Sequence, residues 1–300
     1  MLADTAEPTL GHAVAAFLAR ADLATQSRRS YSQTLDRIVA ELGEDSPLGA
    51  LDSDQLSGVI AGAWGVCAPA TWNRHVATAR SFVAFCQRHA WLPDGFVVRV
   101  DRRREPADRT RAVPYAQLER LWRREDVAVR EKALWRLLDD TAARASEILS
   151  LNVEDIDRDN RRAVVRSKGG DIDLLHFQTG SARLIPRLIS ERARGPLFLT
   201  ARRPAPGRAP ALVDICPFSG RARLSYRRAE ELFKAASGGW TLHQLRHSAI
   251  THLAEDNVAL PMLMAKSRHT SLRSLQKYAR PGADAVAALT AAHDPERRRR

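Results

Sequence analysis

The chain has 300 residues, 44% of them hydrophobic, and 47 Lys/Arg against 35 Asp/Glu give it a formal charge of +12. That length allows two domains or one large one with a substantial core, and the charge asks for a polyanionic partner. No run approaches the ~18 apolar residues of a membrane span, no basic-then-apolar leader opens the chain, and Cys67, Cys86 and Cys216 lack C-x-x-C spacing. A soluble cytoplasmic protein with free thiols is expected.

The charge is unevenly spread. Residues 1–100 carry 8 basic and 10 acidic side chains, whereas residues 101–300 carry 39 and 25. Five of the basic residues are lysines: Lys132, Lys168, Lys234, Lys266 and Lys277. So strong an arginine bias fits a GC-rich genome as well as phosphate binding, and it makes a lysine in a special place informative.

Four helices are expected in the first 90 residues. The first spans 9–20, capped by Thr9 with Val14, Phe17 and Leu18 on one face. The second is capped by Ser27, places Tyr31, Leu35, Ile38, Val39 and Leu42 at helical spacing, and stops at Gly43. Two more span 53–64 and 70–89, the last with Val76, Ala79, Val83 and Cys86 inside. Together they make a compact bundle. Residues 101–112 are charged and broken by Pro106, which reads as a linker. Arg102, Arg103, Arg104, Arg109 and Arg111 suit an arm tracking DNA backbone, and the composition suits a solvated tether equally.

Helices follow at 115–122 and 128–142, then strands at 153–156, 163–166 and 172–177, with Lys168-Gly169-Gly170 turning between the last two. Helices resume at 181–193, 225–236, 241–254, 260–266 and 271–278. Segment 201–221 reads as a loop, the chain has no internal repeat, and 293–300 is a basic tail ending in four arginines. The fold class is mainly α with a small antiparallel β-sheet.

The residue types that phosphoryl transfer by an amino-acid nucleophile requires lie late in this order: His243, Arg246, His247, His269 and then Tyr278. His243 and Arg246 are three apart on one helix and share a face. Arg144 and Glu147 stand earlier, at a break between two helices, and Lys168 sits at the hairpin tip. Singly, each has an ordinary reading: a surface ion pair for Arg144 and Glu147, a turn residue for Lys168, a helix-end aromatic for Tyr278. Zinc is the rival for His243 and His247, four apart, but the metalloprotease pattern needs Glu where Gln244 stands, and Arg246 between the histidines repels a dication. No metal and no cofactor is expected.

The ordered set resembles the tyrosine recombinase (phage integrase) family. The match consists of Thr141-Ala142-Ala143-Arg144-Ala145-Ser146-Glu147-Ile148-Leu149, the hairpin Lys168, His243-Gln244-Leu245-Arg246-His247, the later His269, and Tyr278 nine residues on. There are departures. Ala142-Ala143 stands where the family commonly has Gly-Leu, and Lys266-Ser267-Arg268-His269-Thr270 stands where it has L-G-H-S. Asp171 and Asp173 follow the hairpin lysine where a second basic residue is usual.

The resemblance implies a helical core-binding domain (1–100), a basic linker (101–112), a mixed α+β catalytic domain (113–292) and the tail (293–300). It also implies a site-specific recombinase working without metal or nucleotide. In that reading Tyr278 attacks a backbone phosphate, Arg144 and Arg246 clamp its oxygens, and Lys168 protonates the leaving 5′-oxygen. His243 and His269 add hydrogen bonds, while Glu147 and His247 support them. Double-stranded DNA is the implied partner, gripped by Arg74 and the linker arginines, with a homo-tetramer forming the synapse. Segment 283–292 fits a helix docking on a neighbouring protomer and an ordinary terminal helix alike. A silent DNA-binding accessory protein and a type IB topoisomerase-like enzyme are the rival classes.

Overall fold

The computed structural model describes residues 8–106, 112–166, 172–269, 271–275 and 290–291. It divides into two compact units, Met1–Asp108 and Arg109–Arg300. No helix among the described residues is long and apolar enough to cross a membrane.

The first unit is built on α1 (Leu10–Leu18), α2 (Thr25–Leu42), α3 (Ser53–Trp64) and α4 (Pro69–Arg88). Leu10, Ala13, Val14 and Phe17 recur at helical spacing and are buried. They pack with Leu35, Ile38, Leu56, Ile60, Val76, Phe82 and Cys86 in one core. Thr9 caps α1 by accepting from the His12 amide at 3.2 Å, and Asp52 with Gln55 forms a capping box on α3. Helix α2 begins at Thr25, two residues before the expected Ser27 cap, and has no side-chain cap. Burying its Leu35 face outweighs the ~1 kcal/mol such a cap is worth.

Residues 101–105 lie along α4, although the sequence reads there as the start of a linker. Trp72 Nε1 donates to the Asp101 carbonyl at 2.8 Å. The buried Asn73 amide pairs both ways with the Arg103 backbone, 2.8 Å in each direction. An amide buried at this position needs both partners, and the chain supplies them by running straight on from the bundle.

The second unit comprises α5 (Tyr115–Arg123), α6 (Val129–Thr141), α7 (Ala145–Ser150), β1 (Ile156–Asp157), β2 (Arg162–Arg166), β3 (Ile172–His176), α8 (Thr179–Ile189), α9 (Tyr226–Ser237), α10 (Leu242–Glu255), α11 (Leu260–Ser267) and α12 (Leu272–Leu275). The sheet is antiparallel in the order β1-β2-β3, with Arg166 opposite Ile172 at the turn end of the β2–β3 hairpin and Arg162 opposite His176 at its open end. Trp135 of α6 is central to a core shared with Leu175, Ile185, Phe198, Phe233 and Leu245. A smaller cluster joins Ala142, Ala249, Ile250, Leu263 and Leu275.

Three expectations are corrected here. Residues 153–155 form a 3-10 turn, not a strand, because Asp155 accepts from the Asn152 amide at 2.8 Å and closes the chain on itself. Helix α8 starts at Thr179 and ends at Ile189. Asp140 accepts from the Gln178 and Ser181 amides and caps it from outside, while Ser190 at φ 51° stops it. The 201–221 segment contains a 3-10 turn at Leu212–Asp214, paired to Arg223. Arg223 also donates to the carbonyls of Leu149, Ser150 and Leu151 and to Asn152 Oδ1, satisfying the C-terminal end of α7.

Candidate active site

The site is set by how α6 stops. Thr141 Oγ1 returns to the Leu137 carbonyl at 2.6 Å and accepts from the Ala143 amide at 3.2 Å. Between them Ala142 takes the left-handed conformation, φ 50° and ψ 28°. This turn places Arg144 at the N-cap of α7 and leaves the Ala142 carbonyl pointing at α10.

Helix α10 is fixed at its start by Thr241, which accepts from the Gln244 amide at 3.0 Å. It is fixed again two turns on by Ser248, which accepts from the Val113 amide at 2.8 Å. The helix thereby carries Arg246 inward, where it is only 5% exposed. Its guanidinium donates to the carbonyls of Ala142 and Ser267, each at 2.7 Å, and Nη2 lies 3.4 Å from His269 Nε2. One arginine thus ties the ends of α6 and α11 together.

His269 follows Arg268, the residue that ends α11 in the left-handed conformation at φ 53° and ψ 44°. The Ser267 hydroxyl donates its one proton to the Leu263 carbonyl at 2.6 Å and stands 2.7 Å from His269 Nδ1. Nδ1 must therefore be the donor of that second contact, which leaves the Nε2 lone pair facing Arg246. Burial, then the charges of Arg246, Arg144 and Arg268, push the imidazole pKa down to about 4. At neutral pH the ring is uncharged.

Glu147 connects the second cationic group. It accepts from the Arg144 amide at 2.8 Å and from its guanidinium at 2.9 Å, and Arg268 pairs with its other face. Burial raises the Glu147 pKa. The charge of Arg268 and the contacts of Arg144 oppose that and leave the carboxyl below its ordinary value. The side chain of Arg144 is 52% exposed, those of Glu147 and Arg268 13% and 11%. Lys266 donates from Nζ to the His176 carbonyl at 2.8 Å, joining α11 to the end of β3.

The structure therefore brings Arg144, Glu147, Arg246 and His269 together. His243 is exposed on the first turn of α10, and His247 is half-buried beside Arg246. Lys168, Tyr278, Arg109, Arg111 and the tail lie outside the described residues, as does segment 283–292 apart from 290–291. In the first unit Arg74, Arg102 and Arg104 are exposed. Arg103 stacks 4.1 Å over Trp72 and donates to the Cys67 carbonyl at 3.2 Å. Sequence reasoning missed Ser267, Arg268 and the Ala142 carbonyl as parts of the site. The signal for two of them was on the page, since Ser267 and Arg268 are where the chain leaves the L-G-H-S pattern.

The model of the phage integrase family matches residues 113–284. Among curated proteins, tyrosine recombinase XerC of Mycobacterium sp. (strain JLS) is 29% identical over 286 residues, covering 89% of this chain and 91% of that protein. XerC of Myxococcus xanthus is 27% identical over 219 residues, covering 70% and 71%. Among solved structures, the Tn1549 transposon integrase in complex with circular intermediate DNA superposes with a TM-score of 0.64 at 15% identity, covering 94% of this chain and 99% of that one. A lambda integrase tetramer bound to a Holliday junction gives 0.66 at 12% identity, covering 90% and 77%.

Proposed function

The chain belongs to the phage integrase family and is a tyrosine-type site-specific DNA recombinase, and from that premise we propose that it breaks and rejoins duplex DNA through a 3′-phosphotyrosyl intermediate, without metal or nucleotide. The observation that carries this reading is the Arg246–His269 contact beside the turn that presents Arg144. Two guanidinium forks and an imidazole around one spot suit the equatorial oxygens of a phosphate in transfer.

Tyr278 Oη attacks the phosphorus of a backbone diester, the bond to the 5′-oxygen breaks, and Lys168 gives that oxygen its proton. The tyrosine proton passes to His243, which is exposed at the first turn of α10 and accessible to an incoming strand. The diester energy is kept in the tyrosyl phosphate, so a 5′-hydroxyl of a partner strand reseals it by the reverse step. His247 supports Arg246 from the next helix position.

Residues 1–100 grip the duplex with the linker at 101–112, and Arg74, Arg102, Arg103, Arg104, Arg109 and Arg111 contact phosphate. Residues 113–292 perform the chemistry and 293–300 form a basic tail. Lambda integrase assembles as a tetramer on a Holliday junction, which supports a homo-tetrameric synapse here, in the cytoplasm on the nucleoid. Affinity then falls steeply with salt, as phosphate-dominated binding does.

The test is covalent trapping in EDTA. Wild type and Tyr278→Phe are incubated with nicked duplexes taken from the DNA flanking the gene and run on denaturing gels. An adduct formed by wild type and not by the variant is expected. Salt-sensitive binding of those duplexes without any adduct would overturn the cleavage reading.

A further inference from the structure

Arg268 is costly where it stands. Its backbone is left-handed at φ 53°, a conformation that costs an L-residue about 1–2 kcal/mol. Its Nε–H is buried without a hydrogen-bond partner among the described residues, and a buried unmade bond costs again. Strain of this kind persists where surrounding contacts require the side chain. What the side chain gains is Glu147. Arg268 reaches from the end of α11 to one carboxylate oxygen, and Arg144 holds the other from the start of α7.

We propose that Arg268 is a positioning residue for the first arginine of the site: it locks the Glu147 carboxylate between two guanidinium groups and so fixes the direction of the Arg144 fork. The inference rests on the recombinase reading for its consequence in catalysis, while the clamp itself stands on this geometry alone. With its side chain only 11% exposed and turned into Glu147, Arg268 has little surface to offer a substrate. Its action is indirect. Without it, Glu147 keeps the Arg144 amide at the start of α7 and, on its other oxygen, a half-exposed Arg144 side chain with no opposing charge to set its direction. A misplaced clamp of about 1 Å costs up to ~10²-fold in rate. The same loss removes the strongest influence holding the carboxyl down against its burial. Among the described residues the charged groups facing Glu147 are Arg144 and Arg268.

Arg268→Gly is the informative variant, because glycine accepts a left-handed backbone without strain and the turn survives. Two readouts are taken on the full chain. The first needs no DNA: the Glu147 carboxyl is followed by carbon-13 NMR against pH in wild type, Arg268→Gly and Arg268→Lys. Its titration is expected to move upward in the glycine variant and to return towards wild type with lysine. An unchanged Glu147 titration overturns the clamp. The second is single-turnover cleavage and binding of the nicked flanking duplexes. Cleavage is expected to fall about 10- to 10²-fold with DNA affinity within about twofold of wild type. Equal cleavage overturns the positioning role, and a parallel loss of affinity would make Arg268 a DNA contact instead. If wild type itself does not cleave, the recombinase reading fails, and the titration still decides the clamp.

Discussion

The two arginines of the site are held by opposite means. Arg246 is buried and ends on neutral acceptors, the carbonyls of Ala142 and Ser267. Arg144 is half-exposed and ends on a carboxylate that it shares with Arg268. A carbonyl fixes a guanidinium without cancelling its charge, whereas a carboxylate fixes it and offsets the charge at the same time. Arg246 is therefore the stationary charge, placed where attraction to a phosphate is least screened. Arg144 is the fork whose direction is set by its carboxylate partner. In the proposed mechanism, rigid positioning and electrostatic balance are divided between two side chains that serve one oxygen-binding task.

The comparison breaks most visibly at Arg246. Arg246→Ala is expected to cost cleavage about 10²- to 10³-fold, the usual loss for a preorganised donor. It should also destabilise the fold by about 1–3 kcal/mol, because two buried carbonyls lose their donors. Single-turnover cleavage and thermal denaturation measure the two effects. Arg144→Ala separates them: cleavage should fall about 10²-fold, while stability falls by no more than about 1 kcal/mol, as for a half-exposed ion pair. A large stability loss at Arg144, or none at Arg246, would erase the distinction between a structural charge and a steerable one.

The histidine between them gives a pH test. With a folded-state pKa of about 4 and an ordinary value near 6.5, His269 binds fewer protons folded than unfolded between those limits. Its contribution to stability is therefore present above about pH 6.5 and is lost as pH falls towards 4. Ring nitrogen shifts should report a neutral, Nδ1-protonated imidazole down to about pH 4. Binding a phosphodiester offsets the three arginine charges that hold the pKa down, so titration in the presence of DNA should move upward. A ring that is already charged at pH 6 without DNA would contradict the Nε2 lone pair facing Arg246.

Much of the candidate site was legible in the sequence because its residues stand in one ordered set, each in a recognisable local frame. Thr9, Asp52 and Thr241 cap helices where hydrophobic spacing begins, Arg246 falls on a helix whose periodicity is plain, and His269 comes just after the end of another. What escaped were features made by the backbone and by distant partners. Asp140 starts α8 from outside that helix, and Asn73 holds residues that by composition alone belong to a tether. The anchors of Arg246 are carbonyls, which no residue type announces. Arg268 was visible only as a departure, since nothing in a linear pattern links it to Glu147, 121 positions earlier.

The smallest expected effect lies at the residue that joins the two arginines. Ala142 supplies a carbonyl to Arg246 and stands two residues before Arg144, in a left-handed turn where the related pattern has glycine. Ala142→Gly removes a backbone cost of about 1–2 kcal/mol. It also deletes a fully buried methyl from the cluster of Ile250, Leu263 and Leu275, worth about 0.8 kcal/mol, and adds about 0.5–1 kcal/mol of chain entropy to the unfolded state. These terms nearly cancel, so stability should change by less than about 1 kcal/mol. Cleavage should stay within about threefold, because the carbonyl that matters belongs to the backbone and survives the change. A tenfold loss would mean that the methyl, wedged against α10 and α11, sets the spacing between the fixed charge and the steerable one. Ala142 would then be a spacer in the clamp, and the turn that carries it would owe its strain to the site.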